Sequence, residues 1–186
     1  LYPHPPHNRR AEATRALLDL VRRYDATLVA VGNGTASRET MQWVEQALAG
    51  LDGGRVRAVT VSESGASVYS ASPVAIEEFP DLDATTRGTI SIGRRLQDPL
   101  AELVKIDPQH IGVGLYQHDV KPKHLKESLE GVIESSVNQV GVNLNTASVP
   151  LLRHVSGLNQ LVAREVVNHR EKNGPFTSRE QLQQVP

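Results

Sequence analysis

Cysteine is absent from the 186 residues of this sequence. Its absence excludes disulfide bonds, thiol catalysis and cysteine-based zinc sites, and it fits a reducing, cytoplasmic environment. Aromatic residues are scarce as well: they make up 4% of the chain, so a platform for stacking bases has little support. Long apolar runs are also missing, since none approaches the roughly 18 residues of a membrane span. We therefore expect a cytoplasmic protein without a membrane partner.

An excess of charge is lacking too. The formal net charge is −1, so a nucleic-acid partner has to be bound by local patches and not by a general basic field. The seven histidines are scattered, without the H-x-x-x-H or HExxH spacing of a zinc site. We expect no metal site and no cofactor, and Mg²⁺ becomes an expectation only if the chain is a nuclease.

The first half of the chain contains an alternation of helix and strand patterns. Apolar periodicity predicts helices at 9–24 and 85–97, and short β-branched runs predict buried strands at 27–31 and 56–61. Glycine-rich loops join the strands to the helices that follow them, which is typical of an α/β layer with parallel strands. Because two strands are too few for a stable sheet, we expect the remaining strands to lie outside this chain or to come from a partner.

Two loops that follow the predicted strands are candidate binding sites. Ligands bind beyond the carboxyl ends of parallel strands, so the loops at 32–37 and 62–65 are expected to share one crevice. The candidate phosphate loop consists of Gly32, Asn33, Gly34 and Thr35. Its backbone amides favour an anion, although it lacks the G-K-[ST] of a P-loop. The alternative is that these glycines only permit tight turns between strand and helix.

Glu63 and Asp98 are the candidate catalytic residues of a metal-dependent nuclease. Two-metal hydrolysis of a phosphodiester needs several converging carboxylates, because two divalent ions must be held a few ångströms apart. Glu63 follows a predicted strand, whereas Asp98 precedes a proline and either caps a new helix or marks a kink. The alternative interpretation is that both carboxylates are simply exposed to solvent.

A segment from 105 to 123 contains prolines and glycines and predicts a domain boundary. It divides the chain into a first domain, 1–105, and a second domain, 106–186. A long amphipathic helix is predicted from Leu125 to Val140. Beyond it, the apolar spacing in Val142–Phe176 predicts two short helices joined by a hairpin.

The hairpin at Ser156–Asn159 is the most specific chemical signal in the second domain. Gly157 permits positive φ and the close approach of a ligand, and the amides that open the second helix favour an anion such as a phosphate. Asn145 or Thr146 is expected to cap the first helix. Candidate nucleic-acid-binding residues lie on or beside the hairpin: Arg153, Ser156, Gly157, Leu158, Asn159, Gln160 and Arg164. The alternative is a helical pair that serves only packing.

The residues around the hairpin resemble the helix-hairpin-helix module of bacterial competence proteins. Those that match its N-x-N-T-A-S opening and its later H-R-x-x-x-G-x-F are Asn143, Asn145, Thr146, Ala147, Ser148, His169, Arg170, Gly174 and Phe176. Asn159, which tolerates left-handed geometry, stands where a second hairpin glycine is usual. Longer runs resemble the Tex family of bacterial transcription accessory proteins. These runs are Tyr2–Pro6, Gly32–Thr40, Ser62–Ser72, Ile92–Ile106 and Gly114–Val120.

The Tex resemblance implies that 1–105 form a YqgF-type α/β domain with the RNase H-like fold of RuvC resolvases, incomplete because its N-terminal strands are missing. It implies that 106–186 form an all-α helix-hairpin-helix domain whose second hairpin is truncated. Glu63 falls where that fold places a second metal-binding acid, while the first acid precedes this chain. Arg87 and Gly88 stand near the helix of the third acid, so the resemblance implies a degenerate nuclease-like domain and no enzyme.

Three functions follow as hypotheses. The first is a nucleic-acid-binding scaffold of a transcription accessory protein, which binds the phosphate backbone of RNA or DNA without sequence preference and contacts the transcription machinery. The second is a metal-dependent, RuvC-like nuclease that uses Glu63 and Mg²⁺. The third is a protein–protein interaction module that binds no nucleic acid.

Overall fold

A computed structural model describes residues 1–51, 54–112 and 117–185. The first part of the chain alternates helices and strands. Its elements are α1 (Arg10–Arg23), β1 (Leu28–Gly32), α2 (Ser37–Leu48), β2 (Arg57–Val61), α3 (Ala66–Ser70), α4 (Pro73–Glu78), α5 (Ala84–Gln97) and α6 (Pro99–Leu103). The second part is helical. Its elements are α7 (Pro122–Val140), α8 (Val149–Leu152) and α9 (Gln160–Asn173), with 3-10 turns at Pro108–His110, Gln117–Asp119 and Arg179–Gln184.

The two strands pair in parallel, as their apolar, β-branched sequences predict. The register runs from Leu28 opposite Arg57 to Gly32 opposite Val61. Within the described ranges they form a two-stranded sheet. The shared direction brings the loops after β1 and β2 to the same edge of the sheet, where Asn33 N–H donates to the Val61 carbonyl at 3.1 Å.

The core of the first part lies between α1, α2 and the sheet. Apolar residues three or four apart give each helix one buried stripe. The buried members of this core are Ala13, Leu17, Val21, Val31, Trp43, Val44 and Leu48. Trp43 also donates from Nε1 to Thr14 Oγ1 at 3.0 Å, so the buried indole has a polar partner. The stripe predicted for 9–24 is therefore the packing face of α1.

Helices α5 and α6 meet at Asp98. Its Oδ1 accepts a hydrogen bond from the Ala101 N–H at 3.0 Å, and Pro99 occupies the first helical position. Of the two predictions for this position, the cap of a new helix is the correct one. The Asp98 side chain thus serves as a helix cap.

The core of the second part combines residues from all three of its helices and from the loops between them. Its buried members are Val104, Val137, Ala147, Leu151, Leu152, Ala163, Val166 and Phe176. Val104 follows α6 directly and is 5% exposed, so the first part of the chain packs into the core of the second. No helix in the described part of the chain combines the length and apolarity needed to cross a membrane.

The start of α8 differs from the prediction that Asn145 or Thr146 caps it. The helix begins at Val149, and Ser148 takes the N-cap position without a side-chain cap bond. Asn145 pairs with Phe176 instead: its Oδ1 accepts from the Phe176 N–H at 2.7 Å, and its Nδ2 donates to the Phe176 carbonyl at 2.9 Å. The cap prediction is wrong because a tertiary partner engages the side chain that local capping would have used.

Arg170 strengthens the same connection from α9. Its Nη1 donates to the carbonyls of Leu144 and Ala147, each at 2.7 Å. The His169 ring stacks on Phe176 with 5.3 Å between centroids. We call these contacts, together with the Asn145–Phe176 pair, the clasp. Several of the motif residues that resemble a helix-hairpin-helix module therefore make contacts that hold the module together.

Candidate nucleic-acid interface

The hairpin between α8 and α9 occupies residues 153–159 and turns at Gly157. The φ of Gly157 is +87°, in the region that favours glycine, so positive φ at this position is confirmed. Apart from Gly157 and its two chain neighbours, no atom of the described residues lies within 4 Å of the place where a Cβ would be. The backbone at Gly157 is therefore open to solvent on the side from which a ligand can approach.

Free backbone donors surround this glycine. The N–H groups of Gly157, Asn159 and Gln160 have no acceptor among the described residues. Asn159 caps α9, and its Oδ1 accepts from the N–H groups of Leu161 and Val162 at 2.9 and 3.0 Å. It does so with φ −91°, so Asn159 is extended and does not adopt the left-handed geometry that its side chain tolerates. The cap satisfies two orphan amides of α9 and leaves three neighbouring ones free.

Two exposed arginines flank the free amides. Arg153 lies at the start of the hairpin and donates from Nε to His154 Nε2 at 3.2 Å. Burial lowers the pKa of His154, and the positive charge of Arg153 lowers it further, against the opposing effect of Glu130 and Glu134. A lower pKa favours the neutral imidazole, whose Nε2 can accept the hydrogen bond from Arg153. Arg164 lies one turn into α9 and is exposed.

A cavity of about 600 Å³ separates the hairpin from α7. Residues from both sides line it: Glu130, Glu134, Arg153, His154, Val155, Gly157, Leu158, Asn159 and Gln160. Five of the seven predicted residues thus meet in one place, whereas Ser156 and Arg164 lie outside this lining. The two glutamates belong to α7 and were not predicted. Their carboxylates make the α7 side of the cavity unfavourable for an anion, whereas the free amides and Arg153 lie on the hairpin side.

Asn138, also on α7, is a third residue that sequence reasoning missed. Its side-chain amide bonds to the backbone of His154 and Ser156, 16 and 18 residues further along the chain. Asn138 is exposed, and no motif or spacing in the sequence connects it to the hairpin. Only the packing of α7 beside the hairpin identifies it.

The candidate phosphate loop after β1 has a different environment. The carboxylate of Glu63 lies against it: a Cβ on Gly34 would be 1.7 Å from Glu63 Oε1, and one on Gly32 would be 2.6 Å from Oε2. The Glu63 N–H donates to Asn33 Oδ1 at 3.0 Å. The two loops do share one crevice, as their positions after parallel strands predict. An anion of the chain itself occupies the space that the glycines leave open.

Arg95 is a buried residue that bonds to the backbone of the loop containing Glu63. Its side chain is 5% exposed, and Nη1 donates to the carbonyls of Ser62 and Ser64 at 2.8 Å each. Burial lowers the pKa of Arg95, and the charges of Glu102 and Glu63 oppose that effect. Two bonds from one buried guanidinium therefore fix the backbone on both sides of Glu63.

The polar residues that line a cavity with Glu63 carry hydroxyls and not carboxylates. A cavity of about 370 Å³ extends from Glu63 between α3 and α5. It is lined by Glu63, Ala66, Ser67, Ser70, Ala84, Thr85, Gly88, Thr89 and Ile92. Asp98 lines a different cavity, so the two candidate acids do not share one. Over 1–51, 54–112 and 117–185, no group of three or more His, Asp or Glu side chains is placed to hold a metal ion.

Comparison with protein families gives two matches in this chain. Residues 1–97 match the family described as the Tex protein YqgF-like domain, and residues 137–186 match the helix-hairpin-helix motif. The predicted order, a partial YqgF-type α/β domain followed by an all-α helix-hairpin-helix domain, is thereby confirmed.

Curated relatives align with nearly the whole chain. An uncharacterized protein of Bacillus subtilis, YdcI, is 53% identical over all 186 residues, and the transcriptional accessory protein Tex of Neisseria gonorrhoeae is 52% identical over the same length. The human S1 RNA-binding domain-containing protein 1 is 50% identical over 95% of the chain. The chain spans 26%, 24% and 18% of the lengths of these three relatives, so it corresponds to only part of each of them.

Proposed function

The chain belongs to the family of Tex proteins, and from that membership we propose that it is a nucleic-acid-binding scaffold of a cytoplasmic transcription accessory protein. The partners are RNA or DNA and the transcription machinery. One observation carries the proposal: an open hairpin glycine lies among three free amides, with an exposed arginine on either side. The neisserial relative is named a transcriptional accessory protein, and the human relative is named for an RNA-binding domain, which supports the assignment.

The donors of the hairpin suit a phosphate and not a base. Backbone amides at the start of a helix, reinforced by the helix dipole, bind an anion without reading its sequence. Arg153 and Arg164 add charge beside them. Because phosphates are common to RNA and DNA, this arrangement supports binding to either, with affinity that falls as salt rises.

We expect the hairpin to bind nucleic acid weakly, because little positive charge surrounds it. Residues 137–186 carry five Lys or Arg and three Asp or Glu, and two further glutamates line the cavity beside the hairpin. Few phosphates can be neutralised by so small an excess of positive charge. We expect a shallow salt dependence, which corresponds to about two or three phosphate contacts.

The experiment is a binding titration with single- and double-stranded RNA and DNA at two salt concentrations, on the original chain and two variants. Gly157→Ala adds a methyl group on the open face and should weaken binding about tenfold. Gly54→Ala is the control, because Gly54 also has positive φ (+77°) and equally open space but lies in the first part of the chain, away from the hairpin. Both substitutions place a side chain at positive φ, which costs about 1–2 kcal/mol.

Equal affinities for the original chain and Gly157→Ala would contradict phosphate binding at the hairpin. A protein complex that is insensitive to salt, with no binding to any nucleic acid, would favour the interaction module. These outcomes separate the two hypotheses, because only the first requires a phosphate at the free amides.

We propose further that the first domain does not hydrolyse phosphodiesters. Glu63 faces Thr85 and Thr89 across its cavity, where two-metal chemistry needs a second carboxylate. Incubation of labelled RNA and DNA with Mg²⁺ or Mn²⁺ should give no cleavage. Cleavage by the original chain that disappears in Glu63→Gln would establish the nuclease in place of the scaffold.

A further inference from the structure

The side chain of Asn138 connects α7 to the hairpin. Its Nδ2 donates to the His154 carbonyl at 3.1 Å, and its Oδ1 accepts from the Ser156 N–H at 3.0 Å. The second Nδ2 proton goes to the Glu134 carbonyl of its own helix at 2.7 Å. Every strong donor of this amide is therefore used, and a flipped amide would set Nδ2 against the Ser156 N–H.

The side-chain amide of Asn138 bonds to the hairpin backbone in the way that a peptide group of an adjacent strand would. They engage the carbonyl of one residue and the N–H of the residue two positions later, which is the pairing of adjacent strands. Across the turn itself, Leu158 N–H donates to the Val155 carbonyl at 2.9 Å. The bonds of Asn138 connect residues 154–156, which precede the turn, to α7.

We propose that Asn138 is a positioning residue of the nucleic-acid site, an inference that rests on the proposed function of the hairpin. By holding His154 and Ser156, it fixes the peptide that carries the free N–H of Gly157. It touches no ligand and contributes no charge. A hairpin already held in its binding geometry loses less entropy when a phosphate arrives, and that saving appears as affinity.

The fold does not depend on this side chain. Asn138 is exposed, and water can replace its bonds to the backbone. The adjacent Val137 is fully buried and anchors α7 in the core. Removal of the Asn138 amide should therefore loosen the hairpin without unfolding the domain.

Three measurements on Asn138→Ala test the inference. Affinity for an RNA or DNA oligonucleotide should fall about five- to tenfold. The slope of log affinity against log salt should stay unchanged, whereas Arg164→Ala, which removes a charge, should reduce it by about 0.7 to 0.9. Amide hydrogen exchange at Ser156 should become at least about tenfold faster. Gln139→Ala, an exposed neighbour without a side-chain bond among the described residues, should leave all three unchanged.

Three results would overturn the role of Asn138. The first is unchanged exchange at Ser156, which would mean that the bonds do not hold the hairpin. The second is unchanged affinity in Asn138→Ala while Gly157→Ala weakens binding. The third is a reduced salt slope, since that indicates a direct contact. If Gly157→Ala has no effect either, the phosphate site itself fails, and the exchange rate at Ser156 alone then decides whether Asn138 positions the hairpin.

Discussion

Two glycine loops of this chain look alike in sequence and differ in structure. Gly34 and Gly157 each lie in a turn that leads into a helix, and each is a candidate contact for a phosphate. At Gly34 the space of the missing side chain is filled by the Glu63 carboxylate, whereas at Gly157 no atom lies within 4 Å of that space. The absence of a side chain at Gly34 makes room for the Glu63 carboxylate. The absence of a side chain at Gly157 leaves space that a ligand could enter.

The comparison shows that backbone conformation alone does not separate the two uses of glycine. Gly65 and Gly157 both have positive φ, +70° and +87°. A Cβ on Gly65 would meet buried Ile106 at 2.9 Å and the His110 carbonyl at 3.3 Å, while a Cβ on Gly157 would meet nothing. What surrounds the glycine decides whether its replacement affects the fold or a ligand.

The largest effect should come from Gly65→Ala. The substitution combines left-handed strain of about 1–2 kcal/mol with overpacking against Ile106, so we expect a loss of about 2–4 kcal/mol in the free energy of unfolding. Urea unfolding followed by circular dichroism measures it. Gly157→Ala should lose only the strain. Equal losses of unfolding free energy in Gly65→Ala and Gly157→Ala would contradict the distinction between the packed glycine and the open one.

Arg164→Ala should have the next largest effect, on binding and not on stability. The exposed arginine stands beside the free amides, and its removal should weaken nucleic-acid binding about fivefold. Lys172→Ala is the control, since it removes an equal, exposed charge from the last turn of the same helix. Titration at two salt concentrations compares them. Equal weakening by both would assign the effect to the overall charge and not to the hairpin.

Gly34→Ala should have a smaller effect, because the atom in its way is the end of a flexible side chain. The added methyl group displaces the Glu63 carboxylate, and we expect a cost below about 1 kcal/mol. In a Glu63→Ala background the same substitution should cost nothing more. Urea unfolding of the four proteins in this double-mutant cycle measures the coupling. An identical cost in both backgrounds would show that Glu63 does not occupy this loop in solution.

The smallest effect concerns the pH dependence of stability at His154. Burial lowers its pKa in the folded chain below the ordinary value of about 6.5. The unfolded chain therefore takes up a proton first as the pH falls. The stability conferred by neutral His154 is complete above pH 6.5 and declines below it. The urea midpoint should drop less between pH 7.5 and 5.5 in His154→Gln than in the original chain. Equal drops would contradict this assignment.

Features that depend on local periodicity were predictable from the sequence. The stripe of α1, the two strand segments and the positive φ of Gly157 depend on residues close together in the chain. Apolar periodicity predicts the helix, β-branched runs predict the strands, and glycine favours positive φ.

Features that depend on distant partners were not predictable. Asn145 has the composition of a cap, but its partner is Phe176, 31 residues away. The Glu63 carboxylate lies beside Gly32 and Gly34, and no sequence spacing predicts this contact. Asn138 belongs to a helix whose sequence says nothing about the hairpin. Asn138 and Asn145 bond to backbone atoms, and every residue has these atoms whatever its side chain, so the sequence does not identify the partner.

The burial of Val104 has a mechanical consequence. Since this residue follows α6 and inserts into the core of the second domain, the two domains meet through packed side chains and not through a slack tether. On the proposed function, a force on a nucleic acid bound at the hairpin should therefore be transmitted through this packed core to α6 and should not be absorbed by a flexible linker.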